Sequence, residues 1–363
     1  MPVSSFAAGF RRCLRMRRAA VFVAAFAGVI LANGGQAFAQ ICLPLTTCLP
    51  LTTGITKAVA TVSGQVLTSQ IGDVIGDVFG NSVSFGANDV FAAAGNVYKA
   101  PPRKSLIERE WSAWLDVRGT GWQNHDVNVG LNGNQVNVTG GIARKLTPDV
   151  LVGVFTGYEH LKYNVAALDG DMKGNGGSVG SFLGWRVAPN VRYDVVLGYT
   201  RMSYSAATGA ATGSFDGNRW VASTGLTGSY SIDSFIVEPS ANVYALWEQQ
   251  GGWTDSLGTA QADRRFTAGR VSTGAKLIRP WSNGDIKVTP YAGFYGDWRF
   301  SSDNALAGGQ PVVGIGDGWS GRVTSGVAFA GKNGVAVAIG GEYGGIGAAY
   351  KVWTGNVRAT VLF

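Results

Sequence analysis

Two histidines are the residues of this sequence best suited to acid–base chemistry. His125 stands next to Asp126 in a polar segment, and His160 lies near the end of a run that predicts a strand. A histidine held near carboxylates can activate water for hydrolysis. The sequence shows no second cluster of acidic residues that would lie beside them. The favoured interpretation is therefore two polar residues at the surface, with a hydrolase as a remote alternative.

Two glycine-rich runs resemble known site motifs by their letters alone. Gly176, Ser178 and Gly180 match the G-x-S-x-G pattern, but they lie inside a predicted strand. A serine nucleophile of that type needs a sharp strand-to-helix turn, which nothing around Ser178 predicts. The run 314–318 has alternating glycines but lacks the following helix that a nucleotide site requires. Neither run predicts a catalytic or cofactor site.

Cys42 and Cys48 lie in a short duplication, CLPLTT-CLPLTT. In an oxidising compartment they could close a small disulfide loop. The gap between them fits no usual zinc spacing, and no histidine lies nearby to complete a metal site. The sequence therefore predicts no metal ion and no cofactor.

The N-terminus has the organisation of a secretory signal. An apolar segment, 19–32, leads to Ala37-Phe38-Ala39, so we expect cleavage between Ala39 and Gln40. A membrane anchor, the alternative, needs a longer apolar span. Residues 1–39 contain no acidic residue and five arginines: Arg11, Arg12, Arg15, Arg17 and Arg18. Their removal lowers the formal net charge from +7 to +2, so the basicity of the whole chain does not indicate a nucleic-acid partner.

Residues 40–104 form a short N-terminal extension that is predicted to be partly helical. Apolar residues recur at steps of three and four between Gly54 and Gly80, which indicates an amphipathic helix. Its apolar stripe suits a wet channel poorly, so the more polar segment 81–104 is the better candidate for a helix inside a pore. With about 60 residues, the extension is too short for a substantial core of its own.

From Trp111 onward the pattern has a period of two, and no run is apolar and long enough for a membrane-spanning helix. Twelve strands are predicted, at 112–121, 134–144, 150–161, 174–186, 191–204, 215–230, 234–248, 265–281, 285–299, 318–330, 334–343 and 350–363. An even number of strands is expected for a closed antiparallel barrel in a bacterial outer membrane. The fold class predicted is thus all-β: a 12-stranded antiparallel transmembrane β-barrel.

The connections between these strands alternate between short and long. Short turns with turn-forming residues are predicted at 146–149, 187–190, 232–233, 282–284 and 332–333. Longer polar loops are predicted near 122–133, 162–173, 205–214, 249–264 and 300–317, whereas the sixth, around 344–347, is short. Outer-membrane barrels have short periplasmic turns and longer external loops, so this alternation favours a membrane barrel over a soluble sandwich.

Each strand also has an apolar face, with tryptophans near the strand ends, and an opposite polar face. In a membrane barrel the apolar face meets lipid and the polar face lines the lumen. Pro239 and Pro290 fall inside two strands, where they are tolerated only near a rim or a bulge. The predicted lumenal charges are Asp116, Arg118, Glu159, Asp194, Arg219, Glu238, Arg270, Lys276, Asp297, Arg299, Arg322, Glu342 and Arg358.

Three segments resemble the β-domain of autotransporters: WSAWLDVRGTGW from Trp111, VTGGIARKLTPDVLVGVFTGYEHLKY from Val138, and the ending VRATVLF. The resemblance covers about residues 105–363 and implies a translocator barrel with a helix in its lumen. It also implies that Phe363, with Val361, Ala359 and Val357, is the signal read by the barrel-assembly machinery of the outer membrane. Residues 40 to about 106 are far shorter than the β-helical passenger that is usual in that family.

The leading hypothesis is an autotransporter-type barrel, monomeric in the outer membrane of a Gram-negative bacterium, that anchors or translocates its own short extension. Its expected partners are outer-membrane lipid, periplasmic chaperones and the assembly machinery. The alternative is a structural or channel-forming barrel with the extension as a plug. A surface hydrolase is third.

Overall fold

The computed structural model describes residues 51–79, 109–124, 130–165, 169–303, 318–331 and 333–363. One helix, α1 (Leu51–Phe79), precedes twelve long strands. The strands are β1 (Trp111–Asn124), β2 (Leu131–Thr147), β3 (Val150–Val165), β4 (Gly170–Ala188), β5 (Val191–Thr208), β6 (Ala211–Gly228), β7 (Phe235–Gln250), β8 (Arg264–Ile278), β9 (Ile286–Asp303), β10 (Gly318–Gly331), β11 (Val335–Ile346) and β12 (Tyr350–Leu362). The predicted cleavage site, both cysteines of the duplication, His125 and the segment 81–104 lie outside the described residues.

The twelve strands form a closed antiparallel barrel. Every strand pairs with its neighbours in the sequence. The last strand then pairs with the first, from Ser112 opposite Leu362 to Asn124 opposite Tyr350. Closure leaves no unpaired strand edge, which a sheet in lipid cannot tolerate, because each unpaired backbone group costs several kcal/mol there. The predicted fold class and strand number are confirmed.

The strands extend further at the long-loop end than the sequence predicts. The loop expected at 205–214 is largely strand, since β5 continues to Thr208 and β6 begins at Ala211. Gly209 makes the tight turn between them with φ of +54°, a conformation that favours glycine. Continued pairing satisfies the backbone groups of this hairpin of small residues, so the loop prediction was wrong. Shorter strand segments occur at Tyr230–Ile232, Trp253–Thr254, Ala260–Gln261 and Trp281–Asn283.

The outer face of the barrel and the buried charges of the lumen are as predicted, but the inner wall also carries apolar side chains near both mouths. Large apolar side chains such as Leu197, Phe294 and Trp220 are exposed on the outer face. Their strand neighbours Asp194, Asp297 and Arg219 are buried inside. A wall that is apolar outside and charged inside is the arrangement of a barrel in lipid.

Pro239 and Pro290 lie where pairing with the preceding long strand stops. The ladder between β6 and β7 ends at Thr227 opposite Ser240, the residue that follows Pro239. The ladder between β8 and β9 ends at Tyr291, next to Pro290. A residue without an amide hydrogen is tolerated at such rims, as the sequence indicates.

Helix α1 lies inside the barrel, with its backbone close to β1–β8. From Thr56 to Phe79, all its residues are buried except four that are partly exposed: Lys57, Ser69, Gly72 and Asp73. Such a helix is surrounded on every side by protein. In the described part of the chain, no helix is both long enough and apolar enough to cross a membrane.

Candidate functional site: the helix-filled lumen

Helix α1 runs from one mouth of the barrel to the other. Near its start, the Oγ1 of Thr56 lies 3.5 Å from the Oε1 of Gln250, at the long-loop end of β7. At its end, the guanidinium of Arg186, beside the short turn after β4, donates to the carbonyl of Phe79 at 3.2 Å. The same guanidinium lies 5.4 Å from the centre of the Phe79 ring. The N-terminal end of the helix therefore points to the long loops.

The first half of α1 packs into an apolar cluster at the long-loop mouth. Val59, Val62 and Val66 belong to one buried group with aromatic and aliphatic side chains of the wall. The wall contributes Trp122, Leu131, Leu161, Tyr163, Met172, Met202, Tyr204, Phe215, Tyr350 and Val352. Gly64 allows a close approach to β7, since a Cβ there would lie 3.0 Å from a methyl carbon of Leu246.

The second half of α1 packs into another apolar cluster near the short-turn mouth. Ile71, Ile75 and Phe79 are buried among wall side chains that include Trp114, Leu151, Phe155, Phe182 and Val196. Gly184 of β4 lies directly beneath the helix, and a Cβ there would come within 2.5 Å of Ile75 and 2.7 Å of Phe79. Burial of this kind contributes about 25 cal/mol per Å² of apolar surface, so both halves of the helix stabilise its position.

Two helix carboxylates form ion pairs with arginines of the wall. Asp77 accepts from Arg358 of β12 at 2.7 Å, and Asp73 accepts from Arg118 of β1 at 2.9 Å. Asp116 lies between the two arginines, 3.0 Å from the Nε of Arg118 and 3.5 Å from the Nη1 of Arg358. Its Oδ1 also accepts from the amide of Gln70 at 2.9 Å. Three carboxylates thus balance two arginines across the helix–wall boundary.

A second network joins strands within the wall. Arg219 of β6 contacts Glu159 at 2.6 Å and Glu248 at 2.8 Å. The hydroxyl of Tyr204 donates to Glu248 at 2.7 Å and accepts from Arg219 at 2.9 Å. All four side chains are buried, and their fixed geometry offsets the cost of desolvating the charges.

A third network lies on the side formed by β8–β11. Arg322 donates to Asp297 at 2.9 Å and to Glu342 at 2.8 Å, and Arg270 reaches Asp297 at 3.3 Å. The amide of Gln65 on α1 donates to Glu342 at 2.9 Å, which connects this network to the helix.

Arg299 is the unusual member of this side. Its guanidinium lies 4.1 Å from the ring centre of Tyr350 and 3.5 Å from the Oε1 of Gln65. In the described ranges its Nε and Nη1 are buried without a hydrogen-bond partner, and no carboxylate forms an ion pair with it. It is a buried cation that is only partly compensated.

The predicted lumenal charges lie inside the barrel, but the prediction for the helix was wrong. The segment 57–79, whose apolar stripe was expected to suit a pore poorly, fills the lumen. The error has a physical cause: the inner wall is apolar at both ends, so it accommodates an apolar helix. Gln65, Gln70, Asp73 and Asp77 were missed as functional residues. Two acidic residues within an apolar helix were the available signal.

Of the residues considered for catalysis, His160 and Ser178 are among those that the structure describes, and they lie on opposite faces of the barrel wall. His160 is exposed on the outer face of β3, with its Nδ1 2.9 Å from the Oδ1 of Asn175. Ser178 is buried in the wall, and its Oγ lies 2.8 Å from the Oγ1 of Thr200. Among the described residues, no three His, Cys, Asp or Glu side chains are grouped closely enough to hold a metal ion.

The terminal strand presents a row of exposed side chains on its outer face. Val357, Ala359, Val361 and Phe363 all point outward. The backbone of Phe363 is tied to Trp111 by two hydrogen bonds, at 2.9 and 3.0 Å. These four residues lie at the seam where the barrel closes.

These features define a class: a closed twelve-stranded barrel of the outer-membrane type with a helix fixed in its lumen. The family model of the autotransporter beta-domain matches residues 113–342, and the chain belongs to this family. Barrels of this family are translocator domains in the outer membranes of Gram-negative bacteria, and they are not enzymes in themselves.

Solved structures show the same fold. The beta domain of the Bordetella autotransporter Brka is similar with a TM-score of 0.58 and 17% identity, over 70% of this chain and 100% of that one. The translocator domain of the autotransporter NalP from Neisseria meningitidis is similar with a TM-score of 0.60 and 14% identity, over 84% of this chain and 99% of that one. The transport unit of the autotransporter AIDA-I from Escherichia coli is similar with a TM-score of 0.56 and 14% identity, over 78% of this chain and 99% of that one. A comparison with curated proteins finds no match.

Proposed function

We propose that this protein carries its own N-terminal extension through the barrel and anchors it at the cell surface. The observation that carries the proposal is the direction of α1, which begins near Gln250 at the long-loop mouth and ends near Arg186 at the short-turn mouth. In outer-membrane barrels the long loops face outward. The residues before α1 then emerge outside the cell, and the helix holds them to the membrane.

The contacts of α1 support a permanent anchor. The helix packs against apolar side chains near both ends, and its Asp73 and Asp77 form ion pairs with Arg118 and Arg358 on the two strands of the β1–β12 seam. Withdrawing it would expose apolar surface and leave Arg358 with Asp116 as its remaining described carboxylate partner. Breaking a buried ion pair by removing one partner costs about 3–5 kcal/mol. Passage of the chain is therefore proposed to end with α1 in place.

A channel whose pore is plugged by the extension is the second candidate. The charged inner wall of β8–β12 favours it, because such a wall would conduct ions if α1 left the lumen. The two candidates differ in the position of residues 40–50. An anchor places them outside the cell, whereas a plug held from the periplasm does not.

The test is an epitope tag inserted after Gln40, read by antibody binding and protease shaving of intact cells. We expect the tag to be accessible in intact cells. The same tag inserted after Gly284, in the short turn between Asn283 and Ile286, is the matched control, and it should be accessible only after the outer membrane is permeabilised. A tag at Gln40 that stays protected in intact cells, beside a working tag in the long loop 249–264, would contradict surface anchoring.

Assembly belongs to the same proposal. Periplasmic chaperones deliver the chain, and the assembly machinery inserts the barrel as a monomer. The machinery recognises the C-terminal end through Phe363, Val361, Ala359 and Val357. The exposure of Phe363 on the outer face supports this role. A signal removed between Ala39 and Gln40 would direct the chain to the periplasm first.

A further inference from the structure

The outer face of the barrel has a basic patch where β3, β4 and β5 rise toward the long loops. Lys162, Lys173 and Arg201 are exposed there, on the face that carries apolar residues lower down the same strands. Lys162 and Lys173 lie directly opposite each other in the ladder between β3 and β4. Like charges in directly opposed positions destabilise a sheet, so an anion between them would relieve the repulsion.

The nearby carboxylates compensate this patch only in part. Asp216 pairs with Arg201 at 3.3 Å, and Asp171 lies 3.9 Å from Lys173. Within the described ranges, no carboxylate forms an ion pair with Lys162. All of these groups are exposed, so the pairs exchange readily with other anions.

Aromatic side chains place the patch relative to the membrane. Tyr158, Tyr199 and Trp220 are on the outer face, and the rings of Tyr199 and Trp220 have their centres 4.9 Å apart. Tyrosine and tryptophan in barrels mark the level of the lipid headgroups. Lys162 lies four residues beyond Tyr158 along β3, and Arg201 lies two residues beyond Tyr199 along β5. The basic groups are therefore at, and just above, headgroup height.

In the described part of the chain the patch has no counterpart on β9–β12, and the exposed Arg265 of β8 is a single basic residue outside it. Across the lumen, the corresponding outer positions of β9–β12 are aromatic, at Trp298, Trp319, Tyr343 and Trp353. Lys351 lies on that side, but its ammonium is 6.0 Å from the ring centre of Tyr343 and 3.4 Å from the carbonyl of Gly345. A uniform attraction to the membrane would not need this asymmetry, whereas a defined lipid site would.

We propose that Lys162, Lys173 and Arg201 bind the phosphate groups of a phosphorylated glycolipid in the outer leaflet. The two lysines supply point charges to one phosphate, and the planar guanidinium of Arg201 can hold a second phosphate through paired hydrogen bonds. The sugar and acyl parts of the lipid then lie along Tyr158 and Tyr199. This site is independent of α1 and of the fate of the extension.

The experiment measures binding of purified lipopolysaccharide to the full barrel in detergent, by native mass spectrometry. The test variant combines Lys162→Gln, Lys173→Gln and Arg201→Gln. The matched control combines Arg144→Gln, Lys145→Gln and Arg279→Gln, which removes three charges at the short-turn rim. We expect the test variant to lose affinity by about tenfold or more, because each basic group near an anionic surface contributes to binding. The control should keep the affinity of the unmodified barrel.

Two further arms identify the ligand. Lipopolysaccharide from which phosphatase has removed the phosphates should bind the unmodified barrel as weakly as the phosphorylated form binds the test variant. Inorganic phosphate at the same phosphate concentration should not compete. Equal binding by the test variant and the control, undiminished binding of the dephosphorylated lipid, or full competition by inorganic phosphate would overturn the proposal. Heat-modifiable migration confirms that each variant is folded, and Lys162→Gln alone replaces the triple variant if it is not.

Discussion

The two sides of the lumen hold α1 by different interactions. Strands β1–β6 supply most of the apolar side chains that pack against the helix, and its backbone lies close to them. The inner faces of β9–β12 are mainly polar, and they reach the helix through long side chains such as Arg358 and through the Glu342–Gln65 bond. Apolar packing stabilises the helix but does not require one particular partner residue, whereas the ion pairs form in only one register of the helix along the wall. The apolar side therefore stabilises the helix in the lumen, and the polar side fixes its register along the wall.

The largest expected effect comes from the buried ion pair of the polar side. Asp77→Asn removes the carboxylate that receives both the Nε and the Nη2 of Arg358, at 2.8 and 2.7 Å. We expect a loss of about 3–5 kcal/mol in the free energy of unfolding, because the arginine stays buried with fewer partners. Urea titration of the heat-modifiable barrel measures this loss. Asp73→Asn is the matched control: its side chain is 38% exposed, so its loss should be clearly smaller.

The apolar side is tested by filling the space beneath the helix. Gly184→Val places new atoms where a Cβ already comes within 2.5 Å of Ile75. Overpacking of this kind costs about 1–3 kcal/mol, so the same urea titration should show a loss in that range. Gly177→Val on the outer face of the same strand is the control, since a Cβ there meets nothing within 4 Å. Equal losses for the two variants would show that the helix does not lie on Gly184.

The smallest effect is expected at Arg299. Arg299→Met removes a buried charge that has no ion pair among the described residues, so the free energy of unfolding should change by less than about 1 kcal/mol or rise. Arg322→Met is the matched comparison, because Asp297 and Glu342 both lose a partner. Its loss should be about 3–5 kcal/mol. If Arg299→Met were as damaging as Arg322→Met, the polar side would depend on total charge rather than on individual pairs.

Much of the barrel could be predicted from the sequence, because strand alternation and turn residues are local signals. The faces of β5 and β9, the rim positions of Pro239 and Pro290, and the closure of the last strand on the first all follow from them. The hairpin around Gly209 was missed because residues 205–214 are all Ala, Gly, Ser or Thr, so no alternation of large apolar and polar side chains marks the strands.

The position of α1 in the lumen could not be predicted from local sequence patterns. Asp77 and Arg358 are separated by 281 residues, and the sequence around either residue does not predict their ion pair. The apolar parts of the lumen were equally hidden, since Phe155 and Phe182 face inward from strands whose outer faces are also apolar. Only the closed barrel brings these side chains to the helix.

An engineered disulfide can show whether α1 is fixed inside the barrel. A Cβ at Gly64 would lie 3.7 Å from the Cβ of Leu246, within the range of about 3.5–4.5 Å that disulfides need. Gly64→Cys and Leu246→Cys are combined in a chain carrying Cys13→Ser, Cys42→Ser and Cys48→Ser, and free thiols are counted by mass-tag labelling after denaturation. We predict that both thiols are blocked without added reductant, whereas Gly64→Cys with Ala275→Cys, on the outer face of β8, leaves both free. Two free thiols in the first pair would show that α1 does not lie against β7 inside the barrel.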